Sequence, residues 1–499
     1  MPFASDQVAA SCTKCRSRKV KCSGVHPCEA CSRRGDICVF KYKLKTGLKK
    51  GSGRVLERRV AELESQLSHY TSRSTLTDAQ TSSIVQLYFE SIHTQHPFLL
   101  VSSPPSAVTL HAIVASTLTL IKHDKSAPSL VDADCSIDDI IDERTRSVLQ
   151  LAHGALDMDT IQALTLLSWC GLRDAHSPSK WLYLMTLSQS VNVVFNDSES
   201  PFMQRTPLNV NTKSESSIRL YWSAFIIDRL AAFTSGWSPG ITRFNIPLPS
   251  PDSDDNEFRH IVELFLVNDS MHTLYSAPVD LTSLVGVQAW RDAHATLAVE
   301  IDGVVGSQRE CAHSHAKPNT PTVVLLQEAT QLRHHSLVAY PPHTTAAFTS
   351  DDVCRVRCTD AARSIAHTAS DVCGLVTASN TYDAHLKGVT SSPLVIWSVW
   401  IAARNHLLAS AHNAHPNHAL PIDYFQLAQS LRVLEPSSRL ANVYANMLDK
   451  ITTSDQTTSI LATARTSFTV LKDASDAGYN NTLTSDLDVL FQDIFSTFV

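Results

Sequence analysis

Apolar residues recur along most of this chain at steps of three and four, the spacing of one helical face. Ile161-Gln-Ala-Leu-Thr-Leu-Leu-Ser-Trp169 and Ser216–Phe233 show it most plainly. Few stretches alternate with the period of two that a half-buried strand requires, and glycine supplies only 15 of 499 residues. The pattern predicts an all-α body over residues 83–484. Loops are expected at Val101–Pro105, Asn196–Ser214, Pro249–Asn256, Gly303–Pro321 and Tyr340–Thr345, where turn-forming residues gather. Pro393–Ala411 is the most apolar run, but Arg404, Asn405 and His406 interrupt it. It reads as a buried helix, and no membrane partner is expected.

Ahead of the body, Leu56, Val60, Leu63, Leu67 and Tyr70 step by 4, 3, 4 and 3, with charged residues around them. This heptad seam predicts a helix over residues 54–70. A homodimerising coiled coil and an amphipathic helix packed on the body both fit, because about two heptads are marginal alone. The dimer is preferred. Residues 41–53, with five lysines and three glycines, read as an extended basic linker, and the polar residues 71–82 as a second one.

Residues 1–40 differ in kind. Six cysteines, Cys12, Cys15, Cys22, Cys28, Cys31 and Cys38, are spaced C-x2-C-x6-C-x5-C-x2-C-x6-C, the same 2,6 pattern twice. Cysteines three apart place two thiolates on one helical turn, within reach of one tetrahedral metal. Six thiolates complete two tetrahedra only if two sulfurs are shared, so two zinc ions in one cluster is the economical reading. A disulfide framework needs an oxidising compartment, and no apolar signal segment precedes Cys12.

Charge says what such a cluster is for. Lys14, Arg16, Arg18, Lys19 and Lys21 all lie between Cys12 and Cys22. Two zinc ions and six thiolates sum to about −2, which accounts for one or two nearby cations. Five also form a phosphate-binding surface. Residues 1–60 hold 15 Lys/Arg against 4 Asp/Glu, a balance of +11, while the remaining 439 carry −17 of the chain's net −6. A basic head on an acidic body suggests double-stranded DNA as the partner at one end only.

The run C-T-K-C-R-S-R-K-V-K-C, then Pro27 before Cys28, then C-x2-C-x6-C, resembles the fungal-type Zn(2)-C6 binuclear cluster family of transcription factors. The resemblance implies that Cys12 and Cys28 bridge the two zinc ions. Cys15 and Cys22 would then complete one site, and Cys31 and Cys38 the other. It further implies that Arg18 and Lys19 meet base edges in the major groove, with a preference for CGG triplets. Arg16 and Lys21 would hold the phosphate backbone, and Pro27 would let the two halves fold back on each other. Ser23 stands where the family often has an acidic residue. In the body, Leu87-Tyr-Phe-Glu90 with His96-Pro-Phe-Leu99, Ile161–Leu167, Trp181-Leu-Tyr183, Arg219-Leu-Tyr-Trp222, Asp228-Arg229 and Ile246-Pro-Leu-Pro249 resemble the fungal-specific transcription factor domain. That implies an α-helical regulatory body that responds to ligands or partners, the effector being unspecified.

Cys135, Cys170, Cys311, Cys354, Cys358 and Cys373 show no ligand spacing and read as ordinary small side chains. His313 and His315 beside Cys311 fall in expected loop, and His334-His335 reads as surface or satisfied core. Asp228-Arg229 suggests a structural ion pair. No G-x-S-x-G, H-E-x-x-H, G-x4-G-K-[ST] or G-x-G-x-x-G occurs, so an enzyme is not expected. Residues 485–499 interleave Asp486, Asp488 and Asp493 with large apolar groups. An activation segment contacting coactivators and a terminal packed helix fit equally. The chain therefore reads as a nuclear, zinc-dependent DNA-binding regulator of transcription by RNA polymerase II. A secondary-metabolite gene cluster is the first choice of target and carbon or nitrogen catabolism the second. A zinc-binding protein–protein adaptor is the rival from another class.

Overall fold

The computed structural model describes residues 11–41, 58–62, 76–96, 105–122, 130–131, 135–152, 156–173, 178–196, 214–235, 239–250, 256–276, 284–312, 320–340, 351–378, 383–412 and 420–453. The chain divides into two units, Met1–Ser72 and Arg73–Val499. No strand occurs among the described residues. The first unit contains α1 (Thr13–Ser17) and α2 (Glu29–Ser32), packed around buried cysteine sulfur instead of hydrocarbon. Residues 58–62 are helical, with Val60 exposed and Arg59 Nη1 2.8 Å from Glu62 Oε2. Leu56, Leu63, Leu67 and Tyr70 lie outside the described residues.

The second unit opens with α3 (Asp78–Glu90), which begins inside the stretch expected to be polar linker. Its polar start is a cap. Thr77 Oγ1 accepts from the Gln80 amide while Gln80 Oε1 accepts from the Thr77 amide, a reciprocal capping box. After α4 (Ile92–Gln95), helices α5 (Ala107–Ile121), α6 (Ile137–Ala152), α7 (Met158–Arg173) and α8 (Pro178–Phe195) pack successively on one another. Helix α9 (Glu215–Ser235) packs on α7 and α8 and is buried on every face, from Leu220 and Tyr221 to Ile227 and Leu230. A helix buried on every face belongs at the centre of a core.

Helices α10 (Asn256–Ser276) and α11 (Leu284–Ala312) follow. Then come α12 (Pro321–Ala339), α13 (Asp352–Ala378), the short α14 (Ala384–Thr390), α15 (Pro393–His412), α16 (Ile422–Leu434) and α17 (Arg439–Thr453). One hydrophobic core runs from Ile84 to Leu448. No single helix among the described residues is long and apolar enough to cross a membrane. Helix α15, with α14, is apolar enough only as a bent pair, and its Leu394, Ile396, Val399 and Ile401 are buried within this unit.

The expected loop at Gly303–Pro321 is helix as far as Ala312. Ile301 and Val305, four apart, are both buried, so the apolar stripe carries straight through Gly303 and Gly306. Glycine there weakens the helix by about 1 kcal/mol against alanine without ending it. Cys311 thus lies on helix, and His313 and His315 fall outside the described residues.

Asp228 and Arg229 form the structural ion pair that their adjacency suggests, and the pair is larger than two residues. Arg229 Nη1 donates to Asp228 Oδ2 and Nε to Asp269 Oδ1, each at 2.5 Å, with the guanidinium over the Phe225 ring. Asp228 also accepts from Ser188 Oγ at 2.9 Å and from the amides of Gly240 and Ile241 at 3.0 and 3.1 Å. One carboxylate therefore ties α8, α9 and the segment after α9 together. A Cβ at Gly240 would stand 2.9 Å from the Ser188 side chain, so only glycine lets that segment approach. Asp228→Ala is expected to cost about 3–5 kcal/mol, because Arg229 keeps a buried charge and two amides lose their acceptor. Urea unfolding of residues 73–499 measures it, and a cost below about 1 kcal/mol would show the tie to be dispensable.

Candidate metal centre and nucleic-acid surface

The two cysteine triplets fold into two nearly equivalent half-modules. Each first cysteine caps its helix in extended conformation, Cys12 at φ −69° and Cys28 at φ −70°. Each helix closes through the same turn. Val20 N donates to Cys15 O at 3.0 Å, and Asp36 N donates to Cys31 O at 3.0 Å. The preceding residue has positive φ in both halves, 55° at Lys19 and 67° at Gly35. Each third sulfur accepts from the amide of its first cysteine: Cys12 N to Cys22 Sγ at 3.5 Å, Cys28 N to Cys38 Sγ at 3.3 Å. The ends of the module meet where Thr13 N donates to Val39 O at 2.8 Å. The His26–Pro27 peptide between the halves is cis.

Cys12, Cys15, Cys28 and Cys31 are fully buried, and their sulfurs all lie within 4.8 Å of one another. The separations are 3.7 Å for Cys12–Cys28, 3.6 Å for Cys12–Cys31 and 3.5 Å for Cys15–Cys28. Four sulfurs at the zinc–thiolate bond length stand about 3.8 Å apart along each tetrahedral edge. The thiols are free and not disulfide-bonded. Their number, softness and spacing fit zinc. The Cys15 amide, donating to Cys12 Sγ at 3.3 Å, draws the Cys12 thiol down to about 6 against the opposing effect of burial. Burial raises Cys15 and lifts Cys31 to about 12. Cys22 is partly exposed, and Cys38 is buried.

Lys14, Arg16, Arg18, Lys19 and Lys21 are all exposed around α1. Arg18 is not free, however. Its Nη1 donates to Asp36 Oδ2 and its Nη2 to Asp36 Oδ1 at 3.3 Å, a two-pronged pair between the halves. The guanidinium holds the Asp36 carboxyl below the usual carboxylate range. Asp36 escaped sequence reasoning, which counted it only as charge. Overlaying the two triplets would have singled it out, since Val20 occupies the matching place. A concavity lined by Arg18, Val20, Arg33 and Arg34 extends the basic surface beside this pair.

Residues 10–47 match the fungal Zn(2)-Cys(6) binuclear cluster domain, and residues 85–288 match the fungal specific transcription factor domain. The chain carries the two domains found together in fungal Zn(2)-Cys(6) transcription factors. It binds zinc through the first of these domains. Both matched domains are those of a transcription factor and not of an enzyme. Among curated proteins, "Transcription factor FUP7" of Fusarium proliferatum (strain ET1) is 46% identical over 56 residues. That stretch is 11% of this chain and spans 23% of the relative. No solved structure matches.

Elsewhere the expected ordinary cysteines are buried in helix packing, Cys354 and Cys358 on α13 and Cys373 further along it. Cys354 Sγ lies 3.5 Å from His335 Nδ1, and Cys358 Sγ lies 3.9 Å from Leu332 O. His334 and His335 are core. The His334 ring stacks on His294 at 3.8 Å, and burial takes His334 down to about 2. Among the described residues only the zinc-cluster cysteines gather as a metal-ligand set.

Lys19 stands in left-handed backbone where the other half uses glycine. Lys19→Gly is therefore expected to keep full zinc content and raise the stability of the zinc-loaded head by up to about 1 kcal/mol. Thermal melting of the zinc-loaded chain reads this out, and a lower midpoint would contradict the strain.

Proposed function

We propose that the head holds two zinc ions, with Cys12 and Cys28 bridging, Cys15 and Cys22 completing one site, and Cys31 and Cys38 the other. Zinc ties the two half-modules together and, as a fixed charge, sets the field in which the surrounding cations sit. The observation that favours these bridges is that all three close sulfur contacts, Cys12–Cys28, Cys12–Cys31 and Cys15–Cys28, include Cys12 or Cys28. A shared sulfur must neighbour ligands of both metals, and these two do. Native mass spectrometry of the zinc-loaded chain is expected to give two metals. Cys28→Ala should lose both, and Cys38→Ala one more readily than the other. A single zinc in the unmodified chain contradicts sharing.

The same head is proposed to bind double-stranded DNA in the nucleus and regulate transcription. What carries this reading is the exposed row of five cations on and around α1, against a body of opposite net charge. Lys19 and Arg18 suit the O6 and N7 acceptors of guanine, which fits CGG-like half-sites. Arg16 and Lys21 are assigned to phosphates. Lys19→Ala is expected to lower affinity for a CGG-bearing duplex roughly ten- to a hundredfold while sparing random duplex. Arg16→Ala should weaken both duplexes alike and flatten the salt dependence. Equal losses on both duplexes for both variants would contradict the division of roles, and no salt-dependent binding at all would favour a protein–protein adaptor.

One head spans about three base pairs, so useful affinity requires two. The seam Leu56, Val60, Leu63, Leu67 and Tyr70 is proposed as the homodimer contact. Among the described residues Val60 is exposed, which leaves it open to a partner. Leu63→Pro should turn the dimer into a monomer, because proline in mid-seam breaks the helix. Sedimentation equilibrium tests this, and a variant that remains dimeric rules the seam out. Residues 485–499 lie outside the described residues and keep the proposed role in coactivator contact. Genes of a secondary-metabolite cluster remain the preferred targets over carbon or nitrogen catabolism. Transcript profiling of a deletion strain separates the two.

A further inference from the structure

The near-twofold relation of the two half-modules makes one asymmetry informative. Arg18 and Arg34 hold equivalent places, three residues after the second cysteine of each triplet. Asp36 and Val20 are equivalent as well, and both amides close the same turn at 3.0 Å. A carboxylate therefore reaches across to Arg18, whereas the matching side chain in the other half is a valine with nothing to accept. The clasp exists on one side only, and it is the side carrying the exposed cations of α1.

Holding the halves together does not require it. Three sulfur contacts and the Thr13–Val39 ladder already span the module. The pair itself is partly in water, with Arg18 42% and Asp36 21% exposed, where an ion pair adds little to stability. What it does remove is rotamer freedom from a long side chain. The two Nη atoms engage the carboxylate end-on. A guanidinium has five donors, so Nε and the outward hydrogens of the Nη atoms remain for another acceptor.

We propose that Asp36 is a specificity-determining positioning residue: it fixes Arg18 so that only one edge of the guanidinium can be offered to a base. This inference rests on the DNA-reading function proposed above. A guanidinium locked in one orientation fits a guanine presenting O6 and N7 at one place and fits other bases badly. Free to swing, the same group pairs with any nearby phosphate and contributes equally to every sequence. The carboxylate also repels phosphate that approaches from its own side. Asp36 thus trades overall affinity for discrimination.

The full zinc-loaded chain is titrated with a duplex carrying two CGG triplets and with a scrambled duplex of equal length. Unmodified protein, Asp36→Ala, Asp36→Asn, Arg18→Ala and the Asp36→Ala/Arg18→Ala double variant are compared, with zinc counted in each by native mass spectrometry. For Asp36→Ala the ratio of the two affinities is expected to fall about tenfold, mostly through tighter binding of the scrambled duplex. Asp36→Asn, which keeps one acceptor, should fall less. In the Arg18→Ala background, removing Asp36 should leave the ratio unchanged. An unaltered ratio in Asp36→Ala with both zinc ions present overturns the inference, as does the same fall without Arg18. Loss of zinc from Asp36→Ala or Asp36→Asn also overturns it, since the clasp is then a structural strut. Unmodified protein that does not distinguish the duplexes defeats the DNA reading itself, a result separable from the others.

Discussion

A module of about thirty residues cannot bury enough hydrocarbon to hold a fold, and here sulfur does that work instead. Five of its six cysteines are buried, and among the described residues only Ala30 and Phe40 add carbon around them. Everything else in the head follows from gathering those sulfurs at tetrahedral spacing. Cys12 and Cys28 become helix N-caps because their sulfurs must face inward. The two helices stay short because each has to turn back to deliver a third cysteine. That return turn needs left-handed backbone four residues past the second cysteine, which falls on Gly35 in one half and on Lys19 in the other. The metal requirement thereby places a lysine in an unusual conformation at the tip of α1.

The near-symmetry of the head separates what the cluster demands from what it does not. Features present in both halves, the cap, the turn and the amide bond to the third sulfur, serve the metal. Among the features found in one half only are two that the cluster does not demand. They are Lys19 in place of glycine, and the carboxylate of Asp36 set against Arg18. Both lie beside the exposed cations of α1.

The body obeys a different rule. Its core is hydrocarbon, with several charged side chains buried inside it. Asp228 is satisfied by Arg229, Ser188 and two amides of the segment after α9, so one carboxylate sets how three stretches of chain meet. Arg333 plays a comparable part between α12 and α10, donating to Asn268 O and Oδ1 with its guanidinium over Phe233. Buried charges tolerate few arrangements, whereas apolar contacts tolerate many.

The cysteine spacing, the density of cations between Cys12 and Cys22 and the three-four apolar period were enough, by themselves, to establish a zinc-cluster head and a helical body. These are local signals, carried by residues close in sequence, and local geometry turns them into structure directly. Composition misled where it was read as punctuation. Gly303 and Gly306 suggested a loop, yet buried Ile301 and Val305 carry α11 through them, because packing outweighs the small helical cost of glycine. Of the polar stretch before Ser83, Asp78–Ser82 lie on α3 behind the Thr77 cap. Only the tertiary structure decided that Arg18 pairs with Asp36, 18 residues away, that Asp228 takes Gly240 and Ile241 as partners, and that His334 stacks on His294. Such pairings have no period and no fixed spacing. They arise when separate segments are brought within a few ångströms, and the energy of an ion pair or a ring contact falls away too fast with distance to be written into the order of residues alone.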